Sequence, residues 1–225
     1  CSRRDADKLI EQGKVLVNGQ VAGMGQQVEE TDTVQVGKKI LQGKQTQKVL
    51  AFYKPVGVTC TERDPHAEKK IMDMIRYPER LTYAGRLDKD SEGLILLTND
   101  GDLINAMMRG ANRHEKEYIV KTDREITPDF LEKMAKGIYL KDLDITTREC
   151  EIEQIGKFTF RIVLTQGVNR QIRRMCEACG YRVKALKRIR IMNILLGDLK
   201  PGKWREITGE ELEQLQRDTG MLNRN

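Results

Sequence analysis

Short apolar segments bounded by polar turn residues recur along most of this 225-residue chain, and several follow one another with no helical segment between them. After a first strand at 49–53, the pattern predicts strands at 94–98, 116–121, 145–153, 158–165, 181–191 and 203–207. It predicts helices at 68–76, 101–108, 128–136, 169–179 and 209–217. Successive strands without helices between them favour a mixed or antiparallel sheet, so we expect an α+β fold rather than a doubly wound one.

The first 44 residues predict a small separate module. An amphipathic helix is expected at 2–12, and the dipeptide Asn18-Gly19 then predicts a tight hairpin. A third strand is expected near 33–36. The segment 37–48 is rich in lysine and has no large apolar cluster, which is typical of a linker. We therefore expect a module at 1–44, the end of the linker at 45–48 and a larger domain at 49–225.

The charge balance and the cysteines indicate in which cellular compartment the protein works and which partners it can have. Lys and Arg number 40 against 34 Asp and Glu, which gives a net charge of +6 and a pI near 9.0. No apolar run approaches the roughly 18 residues that a membrane span needs, and no segment resembles a targeting signal. Five cysteines, an odd number, are typical of a reducing compartment. We expect a cytoplasmic monomer without membrane contact.

Cys176 and Cys179 form a C-x-x-C pair. Zinc would need a second pair or nearby histidines, and the chain has only two histidines. Both cysteines belong to a set of apolar residues at helical spacing between 172 and 179. Packing in the core is therefore favoured over a metal or redox site.

The segment 84–93 places five charged residues directly before the apolar strand at 94–98. Charges beside a core strand need partners or a function, although an ordinary surface turn also fits this composition. Four of its residues match the first half of an EF-hand loop: Asp88, Asp90, Glu92 and Gly93. The bidentate Glu that such a loop needs at its last position is replaced by Asn99, so calcium is rejected. No metal is expected here.

The most basic part of the chain is 168–205, where eleven Lys or Arg stand against two acidic residues, a net charge of +9. Arg170 and Arg174 are spaced i, i+4 and share a helix face. In the strand predicted at 181–191, alternation places four cations mostly on one side: Arg182, Lys184, Arg188 and Arg190. Because so dense a charge repels itself without a partner, we favour a nucleic-acid-binding surface over an ordinary solvated one.

Tyr118 enters the strand predicted at 116–121. A tyrosine at such a position packs in a core more often than it acts in a site. If the substrate is a nucleobase, the same ring is a platform for base stacking. The residues alone leave both interpretations open.

Taken together, four segments resemble the RNA pseudouridine synthases. The segment 85–94 is similar to the signature of that family, Lys116-x-Tyr118 to its second motif and 166–175 to its third. The N-terminal helix and hairpin resemble the S4-type RNA-binding module of the RsuA-like branch. Residues 169–177 and 188–193 are most similar to the RluF group of that branch, which acts on 23S ribosomal RNA.

This resemblance implies a fold and a set of roles. The fold is a catalytic domain on a mixed or antiparallel sheet, preceded by an S4-like module whose first helix would lie before residue 1. Asp88 would be the catalytic aspartate, Tyr118 would stack on the target base, and Arg173 would form an ion pair with Asp88. Arg86 would assist flipping of the base, and Leu164 would pack against its other side.

The implied reaction breaks the C1′–N1 bond of uridine, turns the uracil and joins C5 to C1′. No electron or group is gained or lost, so no cofactor is expected. Asp88 would act as a nucleophile at C1′ or as a base at the 2′ carbon, and the sequence leaves both routes open. The RNA partner would be 23S ribosomal RNA or a pre-ribosomal particle, with a tRNA as a further candidate.

Two other classes of protein compete with this interpretation. A non-catalytic S4-type RNA-binding protein of ribosome assembly would use the same basic surface, but it would not need the loop at 84–93. A glycosidase would use two carboxylates, and Asp88 with Asp90 could supply them. The chain offers such an enzyme few aromatic platforms, since Trp204 is its single tryptophan.

Overall fold

Two units make up the structure, and each has its own β-sheet. The computed structural model describes residues 3–29, 31–41, 46–61, 69–109 and 113–222. Internal contacts divide the chain into a small unit at 1–46 and a larger unit at 47–225. In the described part of the chain, no helix is long and apolar enough to cross a membrane.

The small unit consists of a helix and two hairpins. Its elements are α1 (Arg3–Glu11), β1 (Val15–Val17), β2 (Gln20–Val21), β3 (Val34–Val36) and β4 (Lys39–Ile40). The strands form a sheet in the order β2-β1-β3-β4. Asn18 and Gly19 have φ values of 51° and 82°, as the tight turn between β1 and β2 requires. The predicted helix and hairpin are confirmed.

The linker predicted at 37–48 is wrong at its start. Lys39 and Ile40 form β4 and pair with Val36 and Gln35 across a tight turn. The lysine-rich composition obscured this short strand, because Lys39 lies on an exposed edge of the sheet. Residues 42–45 lie outside the described residues.

The larger unit carries the remaining strands and helices. Its strands are β5 (Val49–Lys54), β6 (Thr82–Ala84), β7 (Glu92–Thr98), β8 (Lys116–Thr122), β9 (Tyr139–Leu140), β10 (Ile145–Thr146), β11 (Glu151–Gly156), β12 (Thr159–Leu164), β13 (Val183–Ile191), β14 (Ile194–Leu195) and β15 (Trp204–Glu206). Its helices are α2 (Gly101–Met108), α3 (Pro128–Lys136), α4 (Gln171–Ala178) and α5 (Gly209–Asp218), with a 3₁₀ helix at Ile71–Met74.

Nine of these strands form one mixed sheet. Seven follow the order β11-β12-β8-β13-β7-β5-β15, while β14 pairs with β13 and β6 pairs with β7. The pairing of β13 with β7 is parallel, and the other described pairs in this sheet are antiparallel. The expected α+β fold with a mixed sheet is confirmed.

The central strands β5 and β7 are buried on both faces. In β5, Ala51 packs in one hydrophobic cluster and Phe52 in another. In β7, Leu96 and Leu97 divide between the same two clusters. Burial on both sides explains why these segments are continuous apolar runs and do not alternate with polar residues.

A third cluster lies under α3 and α4, where Phe130, Ile172 and Cys176 are buried together. Burial raises the pKa of the Cys176 thiol to about 12, and Cys179 packs against the same cluster. The core interpretation of the C-x-x-C pair therefore agrees with the structure.

Two predicted elements differ from the structure. The strand predicted at 145–153 is two strands that belong to different sheets, because β10 pairs with β9 and β11 pairs with β12. Between the two strands, the Thr147 side chain accepts a hydrogen bond from the backbone N–H of Ile138 at 2.8 Å. The helix predicted at 68–76 is a 3₁₀ helix at Ile71–Met74, and residue 68 lies outside the described residues.

Candidate active site

The charged loop 85–91 connects β6 to β7, two antiparallel neighbours in the sheet. At its end, Gly93 has a φ of +110°, and a Cβ atom there would lie 2.2 Å from the backbone oxygen of Arg188. Only glycine allows β7 to come so close to β13, with which it pairs in parallel. This glycine therefore places the charged loop beside β13.

Arg188 of β13 holds the loop through hydrogen bonds to backbone carbonyls. Its side chain is 2% exposed, and its Nε donates a hydrogen bond to the backbone oxygen of Leu94 at 2.7 Å. Its two terminal nitrogens donate to the carbonyl oxygens of Arg86 and Gly85 at 3.5 and 3.4 Å. The expectation that Arg188 binds RNA backbone is therefore wrong, because a buried side chain that already serves three carbonyls cannot reach a phosphate.

Two further arginines hold the same loop, Arg170 directly before α4 and Arg173 in its first turn. Arg170 forms a two-point hydrogen bond with the Asp90 carboxylate at 3.2 and 3.0 Å, and its Nη1 lies 3.4 Å from Asp88 Oδ2. Arg173 donates to the Asp90 carbonyl at 2.9 Å and to the buried Ser91 hydroxyl at 3.2 Å. We call Arg170 and Arg173 the arginine pair.

The expected ion pair between Asp88 and Arg173 is wrong. Among the described residues, the carboxylate partner of Arg173 is Asp90, at 3.3 Å, and the cation that meets Asp88 is Arg170. The partners differ from the expectation because Arg173 lies about one helical turn beyond Arg170. It therefore reaches the end of the loop that carries Asp90.

The arginine pair also sets the charge state of Asp90. Burial raises the pKa of Asp90, but the hydrogen bonds from Arg170 and the charge of Arg173 outweigh it and bring that pKa below its usual range. The same hydrogen bonds raise the pKa of Arg170. Asp90 is therefore ionised and fully engaged at neutral pH. It cannot supply the protonated carboxyl that a two-carboxylate glycosidase needs.

A cleft of about 750 Å³ opens beside the loop. Seven of the predicted site residues line it: Arg86, Asp88, Tyr118, Leu164, Arg170, Arg173 and Arg188. Its apolar wall includes Ile104, Met107 and Met108 of α2. The cleft thus brings an aromatic ring, an apolar wall and a carboxylate around one space.

The floor of the cleft is set by the register of β8 with its neighbours. Tyr118 is half-buried and lies opposite Ile162 of β12 and Arg188 of β13. Leu164, which is 4% exposed, ends β12 opposite Lys116. In the described part of the chain, no group of three or more His, Cys, Asp or Glu is placed to hold a metal ion.

Comparison with known proteins identifies the family. Residues 48–178 match the family model described as RNA pseudouridylate synthase, and residues 1–34 match the S4 domain. The chain belongs to the RNA pseudouridine synthase family. The predicted family and enzyme class are confirmed, and a non-catalytic RNA-binding protein is not favoured.

Individual relatives of this pseudouridine synthase support the assignment. The dual-specificity RNA pseudouridine synthase RluF of Escherichia coli K12 is 45% identical, over 96% of this chain and 74% of its own length. The ribosomal large subunit pseudouridine synthase B of Vibrio cholerae is 33% identical, over 96% and 70%. A crystal structure of a pseudouridylate synthase aligns with a TM-score of 0.72 at 28% identity, over 95% of this chain and 94% of that one.

Four of the predicted RNA-binding residues of this pseudouridine synthase lie outside the cleft: Arg174, Arg182, Lys184 and Arg190. Arg174 pairs with Asp142 on the neighbouring loop. Arg190 is held by Glu117 at 2.6 Å and Glu115 at 3.0 Å, so its charge is already compensated. Arg182 and Lys184 are exposed. The regular alternation predicted for this strand is wrong, because β13 has two register shifts, at 183–185 and 188–190.

Sequence reasoning missed a buried lysine of the synthase. Lys54 ends β5 with 0% exposure, and its ammonium donates to the Pro55 carbonyl at 2.9 Å. Burial lowers the pKa of Lys54, and the nearby Cys60, Asp90 and Asp88 act in the opposite direction. The sequence feature that could have indicated this buried lysine is its position directly between an apolar strand and a proline.

Proposed function

We propose that this protein converts uridine to pseudouridine in 23S ribosomal RNA, with Asp88 as the catalytic carboxylate. The observation that carries the proposal is the position of Asp88. Its carboxylate is 35% exposed, lies 3.4 Å from Arg170 and lines the same cleft as Tyr118 and Leu164. A carboxylate that is reachable from the cleft and held in place by one cation suits a group that must touch a substrate.

The other cleft residues fit the roles that the family resemblance implies. A uracil flipped out of the RNA would stack on Tyr118 and pack against Leu164 on its other side. Arg86 is exposed on the loop that carries Asp88, and it would fill the gap left in the RNA or bind a phosphate. The apolar wall from α2 would keep water away from the detached base.

The two arginines of the arginine pair support Asp88 in different ways. Arg170 forms an ion pair with the Asp88 carboxylate. Arg173 positions the backbone of the loop through its hydrogen bonds to Asp90 and Ser91. Asp88 then attacks C1′ as a nucleophile or removes a proton from the 2′ carbon, and in both routes the C1′–N1 bond breaks with no cofactor.

The exposed cations Arg182 and Lys184 would bind the RNA backbone, while the S4 domain would select where on the RNA the enzyme lands. An enzyme acting on ribosomal RNA in this way would work in the cytoplasm. That the enzyme acts as a monomer stays a prediction, and so does its action on a tRNA.

The test is the substitution Asp88→Asn, which keeps the size of the side chain and removes its charge. C5 of uridine loses its hydrogen when it bonds to C1′, so tritium release from C5-labelled RNA measures the reaction. We expect Asp88→Asn to abolish release and to leave RNA binding nearly unchanged. Asp198→Asn, the same change at an exposed aspartate outside the cleft, is the control and should react like the wild type. Release at the wild-type rate by Asp88→Asn would remove Asp88 from the mechanism.

A further inference from the structure

We infer that Lys116 contacts the uracil while it is detached from the ribose, and that the lysine ammonium stabilises the negative charge that the base then carries. The inference rests on the proposed function, because it assigns one more substrate contact inside the same cleft. It concerns the middle of the reaction, after C1′–N1 has broken and before C5 has bonded to C1′.

The first observation is the position of Lys116 beside the expected site of the base. Lys116 and Tyr118 are two residues apart on β8, so their side chains leave the strand on the same face. Leu164 lies directly opposite Lys116 in the pairing of β8 with β12. All three residues line the cleft. A uracil between Tyr118 and Leu164 would therefore have the lysine ammonium at its edge.

The second observation is the lack of a counter-charge. The half-buried Lys116 ammonium donates to the His114 carbonyl at 3.4 Å, and among the described residues no carboxylate forms an ion pair with it. Burial lowers the pKa of Lys116, and the neighbouring positive charge of Arg188 lowers it further. By contrast, Arg190 on the adjacent strand is paired with two glutamates. The cleft is thus arranged to receive an anion at Lys116.

The chemistry of the reaction supplies such an anion. When the C1′–N1 bond breaks, its electron pair leaves with the uracil, and the charge spreads over N1, O2 and O4. The ammonium stays protonated and donates a hydrogen bond to this ring, and the apolar wall of the cleft strengthens the attraction. After the ring turns, an electron pair of the ring forms the C5–C1′ bond. The C5 proton is lost to solvent and N1 takes one up, so nothing is transferred to or from Lys116.

The variant that tests this is Lys116→Met, which keeps the apolar stem and removes the charge. Removing one preorganised donor to a developing anion slows enzymes by roughly 100- to 1,000-fold. We expect a loss of that size in the single-turnover rate at saturating enzyme, measured as tritium release. RNA affinity should stay unchanged. The thermal unfolding temperature should stay the same or rise, because the variant no longer buries an uncompensated charge.

The control is Lys121→Met, the same change at an exposed lysine of the same strand, which should leave the single-turnover rate unchanged. Lys116→Gln, which keeps a donor without the charge, replaces Lys116→Met if that protein does not fold, and should still slow the single-turnover rate because the positive charge is gone. A wild-type rate in Lys116→Met overturns the inference. So does weaker RNA binding with an unchanged rate at saturation, because it would assign Lys116 to an RNA phosphate. Absence of tritium release from the wild type would instead overturn the proposed function.

Discussion

Arg188 shows how a cation that looks like part of an RNA-binding surface can be structural. Its guanidinium ties β13 to the start of β7 and to the two residues that open the charged loop. The hydrogen bond to Gly85 is buried and the one to Arg86 is partly buried, and a buried acceptor without a donor is costly. The position of Asp88, three residues from Gly85, therefore depends on Arg188.

The substitution Arg188→Lys tests this structural role. Lysine keeps the charge but has no planar group that can serve three carbonyls at once, so at least one acceptor is left without a donor. We expect the free energy of unfolding to fall by about 2 kcal/mol and the isomerisation rate to fall with it. The salt dependence of RNA binding should not change. Chemical denaturation, tritium release and binding at several salt concentrations measure the three quantities.

The matched control is Arg182→Lys for stability and Arg182→Met for binding. Because Arg182 is exposed, neither change should affect the free energy of unfolding. Arg182→Met should reduce the log–log salt slope of binding by roughly 0.7 to 0.9 if this arginine contacts one phosphate. The result that would contradict the structural role is a variant of Arg188 without the positive charge that keeps wild-type stability but has a lower log–log salt slope of RNA binding. Arg188 would then be a residue that binds RNA backbone.

At the level of secondary-structure elements, the fold depends on the close approach of β7 and β13. The parallel pairing at Gly93 joins the half of the sheet that carries Asp88 to the half that carries Tyr118. A Cβ atom at Gly93 would lie 2.2 Å from the Arg188 oxygen and 2.7 Å from its nitrogen. Both neighbours are backbone atoms, which cannot move aside as a flexible side chain can.

We therefore expect Gly93→Ala to lower the free energy of unfolding by more than about 2 kcal/mol. Part of the loss comes from the φ of +110°, which alanine adopts only with strain. Gly101→Ala is the control, because nothing lies within 4 Å of a Cβ atom there. That change, at the start of α2, should be neutral or slightly stabilising in chemical denaturation. Equal stability of the two variants would contradict the close approach described here.

The sequence predicts elements best where local chemistry sets both ends. Helix α3 was predicted at 128–136 and is found there, because Pro128 begins it, the Thr127 hydroxyl accepts from the Phe130 N–H at 3.2 Å, and Gly137 follows its last turn. The position of strand β13 was predicted correctly, but the assignment of its side chains to the two sides of the strand was wrong. Its two register shifts arise from pairing with β8 and have no glycine to mark them.

The same limit applies to the site. The charged loop, Tyr118 and the basic helix could be found from the sequence, and the cleft brings them together. The pairing of side chains within the site could not be found, since Asp88 and Asp90 meet two arginines that are three residues apart at the start of α4. Which aspartate meets which arginine depends on where α4 lies over the loop. Packing between distant segments decides that, and no spacing in the sequence encodes it.

On the scale of the whole molecule, the two units suggest a division between landing on RNA and reacting with it. The cleft is lined only by residues of the larger unit among those described, and the match to the S4 domain covers 1–34 in the small unit. A second RNA-binding module on the same chain raises affinity through its high local concentration, and its loss typically costs 10²- to 10⁴-fold in binding. The chemical step at Asp88 should not need it.

Deleting residues 1–46 tests that division. We expect the remaining chain to bind structured ribosomal RNA roughly 100-fold more weakly or worse, yet to react within a few-fold of the wild-type rate once the RNA is saturated with enzyme. Thermal unfolding first establishes that the shortened protein is folded. A short unstructured RNA is the control substrate, whose binding should change much less because it offers no fold for the small unit to select. If the shortened protein is folded but reacts far more slowly even when all the RNA is bound, the small unit contributes to the active site itself. Its role would then extend from placing the enzyme on the RNA to the isomerisation step, and the two functions could not be assigned to separate units.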